Sequence, residues 1–566
     1  MFVRVKKING YEYLYLVENA REGGRHVQRV IKSLGRKGEV EESGMLDSLI
    51  ASAARHSPRS IVLSRYYKGE LPELKRQSIG ADLVFGRLWE TTGIREVLNS
   101  LLADRRFGFD VERAIYMTVL HRLMISGSDL HASDWKDKVR IPGAEPVTPD
   151  QAYRAMTWLG EEMPGPAGPL GPRTMTDVIE EALYRYRKDL LGVTPEACIR
   201  NDVSAAFFDT ISLYFEGEGG ATLGQRGHSK DYRPHLKQMV LGIVLDGHDR
   251  PIASFLLPGN TVAPEARIRA TVTTLVPVVH RLQERFGIKR ACVVADRGMI
   301  SAATIKTLEA AGVDYVLGAR ERSVREIYEQ VITDDGVPVP LVIPRQKGET
   351  RLEVRDVTID GRRYVVCRNE EEAAKDAETR AKILAGLKTA LEGGDMKLVA
   401  NTGYRRYLKT PKDKAFTIDP AKVEADARFD GLFVLRVNTR LTALQAVLRY
   451  RHLLAVEDTF RTGKALLATR PIDHKTDANI QGHVFCTFLA LVLRHELVSR
   501  LAPRGPKAIE WTRIVDDLAD LSHVEVEQDG KRARLRTAPG PTIDPICRAV
   551  GITLPPVYEE MPPLAR

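Results

Sequence analysis

Residues 205–217 read AAFFDTISLYFEG, an apolar, aromatic and β-branched run with Asp209 set in its middle. Such a composition predicts a strand. Two more strand-like runs follow, KQMVLGIVLD (237–246) and RPIASFLLPG (250–259), joined as a hairpin across Gly247-His248-Asp249. Pro264 then opens a helical pattern, EARIRATVTTLVPVVHRLQERFG (265–287), with Arg285 in its last turn and Gly287 as its stop. A buried-type strand, ACVVAD (291–296), a helix, SAATIKTLEAAG (301–312), and a strand, VDYVLGA (313–319), complete the series. The order is βββαβαβ, which predicts an α/β core built on a mixed five-stranded sheet flanked by helices.

Outward from this core the grammar changes on both sides. Residues 322–440 hold the strand pair TRLEVRDVTI and RRYVVCR around Asp360-Gly361, a charged helix from Glu370, and DGLFVLRV (430–437); they read as an inserted subdomain with β-strands. TALQAVLRYRHLLAVEDTFRTGKALLAT (442–469) and IQGHVFCTFLALVLRHELVSRL (480–501) are helical patterns, the second largely buried. Upstream, 78–190 repeats apolar residues every third or fourth position, interrupted by a Pro/Gly-rich loop at 163–172. Residues 1–37 read as short strands turning at Asn9-Gly10 and Glu22-Gly23-Gly24. The expected divisions are 1–60, a basic β-rich N-terminal region; 61–198, a helical domain; 199–321 and 441–503, the two parts of the core; 322–440, the insertion; and 504–566, a C-terminal tail with a hairpin at Asp529-Gly530.

Composition narrows the function. With 566 residues, 43% hydrophobic and 28% charged, the chain has apolar material for several cores, which excludes a disordered or fibrous protein. The excess of 84 Lys and Arg over 75 Asp and Glu gives +9. Nine basic residues against three Glu fall within 1–37 alone, a local surplus that suits a polyanion. Five scattered cysteines without a CxxC pair argue against zinc and against a disulfide framework, and so for a reducing cytosol. The opening MFVRVKKINGYEYLYLVE has no apolar signal segment, and the apolar run Val484–Leu493 is about half the roughly 20 residues that span a bilayer. A soluble cytoplasmic protein is expected.

Three acids stand where a core would not tolerate them: Asp209 within a strand, Asp296 at the end of CVVAD, and Glu457 in the helix around AVEDTFR. A buried carboxylate needs a partner, and the strands offer no matching Lys or Arg. A hard divalent cation is the economical one. In a βββαβαβ sheet the first and fourth strands are neighbours, so Asp209 and Asp296 share one end of it. Glu457, Arg461 and Lys464 follow i, i+4, i+7 on one helix face, whereas Asp458 is rotated by about 100°. Asp246 and Asp249 flank a turn and Asp202 precedes a strand, which are structural placements. His483 on an apolar helix face reads as a core histidine, and Trp89, Trp135, Trp158 and Trp511 as core anchors.

The element order and these acids resemble a ribonuclease H-like DDE transposase of a bacterial insertion sequence. Tyr450, Glu457 and Lys464 fit a family signature of Tyr, two residues, Arg, three residues, Glu, six residues, Lys; Leu453 replaces its Arg, with Arg451 or His452 as the neighbouring substitute. GHSKDYRPHLKQ (227–238), Pro258-Gly259-Asn260, VADRG (294–298) and VEDTFRTGKALLATRPIDH (456–474) are similar to the same branch.

The resemblance implies Asp209, Asp296 and Glu457 as catalytic ligands of two Mg2+ ions, with Mn2+ as a substitute. Asp209 would bridge the pair. Tyr450, Arg451, Arg461, Lys464, Lys230, Arg233 and Arg297 are then the expected DNA and phosphate contacts. The implied partners are double-stranded DNA, as terminal inverted repeats and as target, and a second copy of the chain in a homodimer. The basic N-terminal region and the helical domain would hold the element ends, and the insertion the cleaved end. Two rivals stand beside a transposase: a nuclease of the same fold that cuts without joining, and a catalytically silent DNA-binding derivative.

Overall fold

The computed structural model describes residues 1–22, 25–54, 75–126, 129–168, 170–190, 204–215, 217–227, 235–246, 250–262, 267–287, 291–295, 302–319, 327–333, 337–344, 349–392, 402–409, 416–451, 472, 474–502, 509–528 and 531–562.

The N-terminus is a three-stranded antiparallel sheet of β1 (Phe2–Ile8), β2 (Tyr11–Glu22) and β3 (Arg25–Arg36). Asn9 and Gly10 both take positive φ, 50° and 85°, the backbone a two-residue hairpin with the strands' own twist demands. A short helix, Lys37–Glu42, folds back so that Val40 covers Gly35. After β4 (Lys75–Ser78) come the helices Gly80–Thr91, Ile94–Leu102, Val111–Met124, Pro149–Leu159 and Met175–Leu190. Caps set their starts: Asp110 accepts from the Arg113 N–H at 3.0 Å, and Thr148 with Gln151 forms a reciprocal capping box. Val111–Met124 is buried along its whole length. Trp89, Trp135 and Trp158 are buried as anchors, while Trp511 packs half-buried against the same core.

The central sheet contains β5 (Ser204–Tyr214), β6 (Gln238–Leu245), β7 (Pro251–Pro258), β8 (Ala291–Ala295) and β9 (Asp314–Gly318) in the order β7-β6-β5-β8-β9. The first three are antiparallel; β8 runs parallel to β5, and β9 parallel to β8. Every residue of β6 is buried, as expected for a continuous apolar run between two covering layers.

The sheet is wider than the five strands anticipated. β10 (Val339–Pro344), β11 (Glu349–Ile359), β12 (Arg362–Arg368) and β15 (Leu432–Val437) continue it beyond β9 into one nine-stranded sheet, because β15 pairs antiparallel with the edge of β9. The inserted strands thus share the core sheet. The helix Glu370–Glu392, the small hairpin of β13 (Leu408–Lys409) and β14 (Thr417–Ile418), and the helices Thr402–Arg405 and Pro420–Ala427 build a separate cluster around Leu387, Tyr407 and Leu408.

The helix Asp477–Leu501 is the spine that joins bundle to sheet. It packs on Pro149–Leu159 and Val111–Met124 and also on β7, and all of Val484–Leu493 is buried. Its approach to Pro149–Leu159 is close enough that a Cβ on Gly482 would overlap the Met156 carbonyl oxygen, and one on Gly160 that of Ala478. The stretch from 504 onward is more than a tail. Its helices Trp511–Asp520 and Ile543–Val550 pack on Gly80–Thr91, and β16 (Ser522–Gln528), β17 (Lys531–Arg536) and β18 (Tyr558–Met561) form a sheet with β4.

Candidate active site

Asp209 sits in β5, a strand between β6 and β8, its own backbone paired with Ile243 of β6. On the other side β5 pairs in parallel with β8, from Ser204↔Ala291 to Phe207↔Val294. Ala295 ends β8, and Asp296 is the next residue of the chain. Asp296, Arg297, Glu457, Arg461, Lys464, Lys230 and Arg233 lie outside the described residues, as do Asp202 and Asp249. Among the described residues no cluster of three or more His, Cys, Asp or Glu side chains is arranged to hold a metal. Asp246 has the turn chemistry expected of it, accepting from the Arg250 N–H at 3.0 Å.

The chain that carries Glu457 is fixed to the sheet at both of its described ends. Leading into it, residues 443–451 are helical, with Ala446 and Val447 fully buried in the larger core. Tyr450 stacks on Phe433 of β15, with centroids 6.2 Å apart and planes 18° apart. Arg451 reaches the Thr350 hydroxyl of β11 at 3.4 Å, and its charge opposes the burial that pushes the Cys367 thiol up. Both side chains therefore meet the inserted strands. On the far side, Ile472 bridges in parallel to Phe215, immediately after β5.

Polar contacts missed at the level of sequence hold this return. His483 is buried, as read, but its ring nitrogens lie 3.0 and 3.3 Å from the Arg122 guanidinium, and Nδ1 lies 3.0 Å from His474 Nε2. Asp477 accepts from the Thr222 N–H at 2.9 Å and the Thr222 hydroxyl at 2.8 Å, tying the spine helix to the loop after β5. Gly220, at φ 76°, has no room for a side chain beside that carboxylate.

A second group clamps the helical domain to the sheet. Arg285 pairs with Asp177 at 2.9 Å, Glu180 at 2.7 Å and Glu181 at 3.0 Å, while Arg281 meets Asp177 at 2.7 Å. Glu180 also accepts from the Ser254 N–H and hydroxyl of β7, each at 2.8 Å. Burial pushes the Glu180 carboxyl up to about 7 against the pull of Arg285. The i, i+3, i+4 acids of one helix and the i, i+4 arginines of another were the signal available in the sequence.

Residues 213–493 match the transposase DDE domain, and residues 3–65 match the N-terminal domain of IS1634 family transposases. The chain is a DDE transposase, an enzyme of DNA transposition. More narrowly, it belongs to the IS1634 family. Asp296 and Glu457 fall inside the matched DDE segment, and Asp209 lies just before it. A solved structure, the piggyBac transposase synaptic complex with hairpin DNA, is similar over 78% of each chain at 12% identity and a TM-score of 0.30. No curated protein matches. A DDE domain implies a divalent-metal catalytic site and DNA as the bound polymer. Among the described residues no helix is long and apolar enough to cross a membrane.

Proposed function

We propose that Asp209, Asp296 and Glu457 are the metal-binding acids of this transposase, and that it cuts the ends of its insertion sequence and joins the freed 3′-hydroxyl to target DNA. The register of the central sheet carries this reading. Partners on β5 and β8 keep one offset from the first pair to the last, and Asp209 and Asp296 are separated by the same offset. Parity in the sequence agrees with it: Leu213, Phe215, Cys292 and Val294 belong to the larger core, and positions 209 and 296 are each an even number of residues from them along their own run. Ala446 and Val447 pack on that same core, on the helix that leads toward Glu457. The tethers at Tyr450 and Ile472 support a short reach from Glu457 to the two aspartates. The strand order β7-β6-β5-β8-β9 is consistent with a ribonuclease H-like core.

Three carboxylates are the hard oxygen donors that Mg2+ or Mn2+ prefers. Held by these acids, such ions would supply activation of the attacking oxygen and charge stabilisation of the leaving one. The chain's own cations do the rest. Arg461 and Lys464 share a helical face with Glu457 and would neutralise the phosphodiester beside it, with Lys230, Arg233 and Arg297 contributing from neighbouring loops. Tyr450 and Arg451 would position the helix as much as the DNA. Residues 1–60 and 61–198 would bind the terminal repeats, with paired ends held in a homodimer in the bacterial cytosol.

The test is cleavage of terminal-repeat duplexes, and joining of pre-cut ones, by wild type, Asp209→Asn and Glu457→Gln with Mg2+. Wild type should cut and join, while both variants keep DNA affinity and lose both reactions. A variant that still cuts at the wild-type rate would remove its acid from the set, and cutting without joining would make the protein a nuclease.

A further inference from the structure

The N-terminal sheet is uneven in length. β1 pairs with β2 only as far as Phe2↔Val17, whereas β2 and β3 go on pairing from Glu18↔Arg29 to Glu22↔Arg25. Residues 18–22 and 25–29 therefore leave the sheet as a two-stranded ribbon. At about 3.4 Å per residue, these five pairs extend roughly 17 Å beyond β1. Opposed residues of an antiparallel pair share a face and successive ones alternate, so Asn19, Gln28, Arg21 and His26 lie together on one side. All four are exposed. Gln28 is also met by the Arg4 guanidinium, which fixes its carboxamide at the root of the ribbon.

Size and chemistry select the occupant. A major groove about 12 Å wide admits a two-stranded ribbon, and Arg, Asn and Gln are the side chains that pair bidentately with guanine or adenine edges there. Behind the ribbon, the sheet carries Arg4, Lys6, Lys7, Lys32 and Arg36 against Glu12, a surplus that complements a phosphate backbone. We propose that the ribbon of residues 18–22 and 25–29 enters the major groove of the element's own terminal repeat and reads bases through Asn19, Arg21 and Gln28. The inference rests on the DNA transposase reading above. It commits to end recognition, because charge alone would serve any duplex and these carboxamides add nothing to charge.

The experiment uses the full chain and two duplexes, one carrying the terminal inverted repeat that flanks the coding sequence and one of scrambled order. Anisotropy titrations compare wild type with Asn19→Ala/Arg21→Ala and with the charge-preserving Arg21→Lys, all checked for equal thermal unfolding. Wild type should prefer the repeat and protect guanine N7 within it from methylation. The double variant should lose ten- to hundredfold of that preference, and Arg21→Lys should lose preference while keeping affinity for scrambled DNA. Equal weakening on both duplexes, unchanged preference, or no N7 protection by wild type would overturn the proposal. Cleavage of the repeat by the same proteins keeps the two readings apart: a wild type that cuts, beside a ribbon variant with intact preference, ends the ribbon proposal alone. A wild type that reads the repeat and never cuts it ends the transposition chemistry instead.

Discussion

The chain contains two sheets built from similar strand-forming residues and used in opposite ways. In β6 every side chain is buried, and in β1 every one is exposed. The sequences QMVLGIVL and FVRVKKI differ chiefly in the cations that interrupt the second. Burying a large aliphatic or aromatic side chain is worth about 1.5–3 kcal/mol, and Phe2, Val3 and Val5, each 41–48% exposed, give up much of it. The N-terminal sheet keeps Leu14, Val17 and Val40 as its buried hydrophobics and leaves the remainder of its surface available. The proposed catalytic centre needs acids held rigidly, which suits a covered sheet. The proposed DNA-binding surface needs exposed cations and amides, which suits an open one.

That contrast breaks most sharply at the chemistry. Asp209→Asn should lower single-turnover cleavage by roughly three orders of magnitude or more, about 4 kcal/mol of transition-state stabilisation, while titrations on the terminal repeat stay unchanged. Next in size is the clamp between bundle and sheet. Arg285→Met leaves Asp177, Glu180 and Glu181 buried without their shared cation, and chemical denaturation should show a loss of about 3–5 kcal/mol. A loss below about 1 kcal/mol would mean that the clamp is not what joins the two regions.

Gly482→Ala forces a methyl group into the Met156 carbonyl and should cost about 2–3 kcal/mol by the same measurement. Gly10→Ala has open space around it and meets only the penalty of a positive φ, about 1–2 kcal/mol confined to the N-terminal sheet. The smallest effect concerns pH. The folded-state pKa of Glu180 is raised from 4.5 to about 7, so its contribution to stability is fully present below pH 4.5 and lost as pH rises through 7. Glu180→Gln should flatten the slope of unfolding free energy against pH across that window, and an unchanged slope would assign it to other groups.

Periodicity and composition made much of this legible. The βββαβαβ order, the helical stretch 78–190 and the isolated basic strands all follow from repeats of two or 3.6 residues, which are local properties of the chain. The positions of Asp209 and Asp296 in strand-like runs were visible for the same reason. The width of the sheet was not. β15 could have closed a separate subdomain, and only its pairing with the free edge of β9 made the insertion part of the core. The residues from 504, the Arg122–His483–His474 contact and the Arg285 clamp were equally hidden, since each joins elements more than a hundred residues apart.

The sequence by itself determined which segments are strands or helices, where the acids stand and where the positive charge gathers, because hydrophobic period and side-chain charge are written residue by residue. Only the tertiary structure decided which edges meet, how far the central sheet extends, and that the β2–β3 pairing runs on past the end of β1. Those outcomes depend on backbone edges left unpaired and on volumes left unfilled at a distance, and no local pattern encodes them.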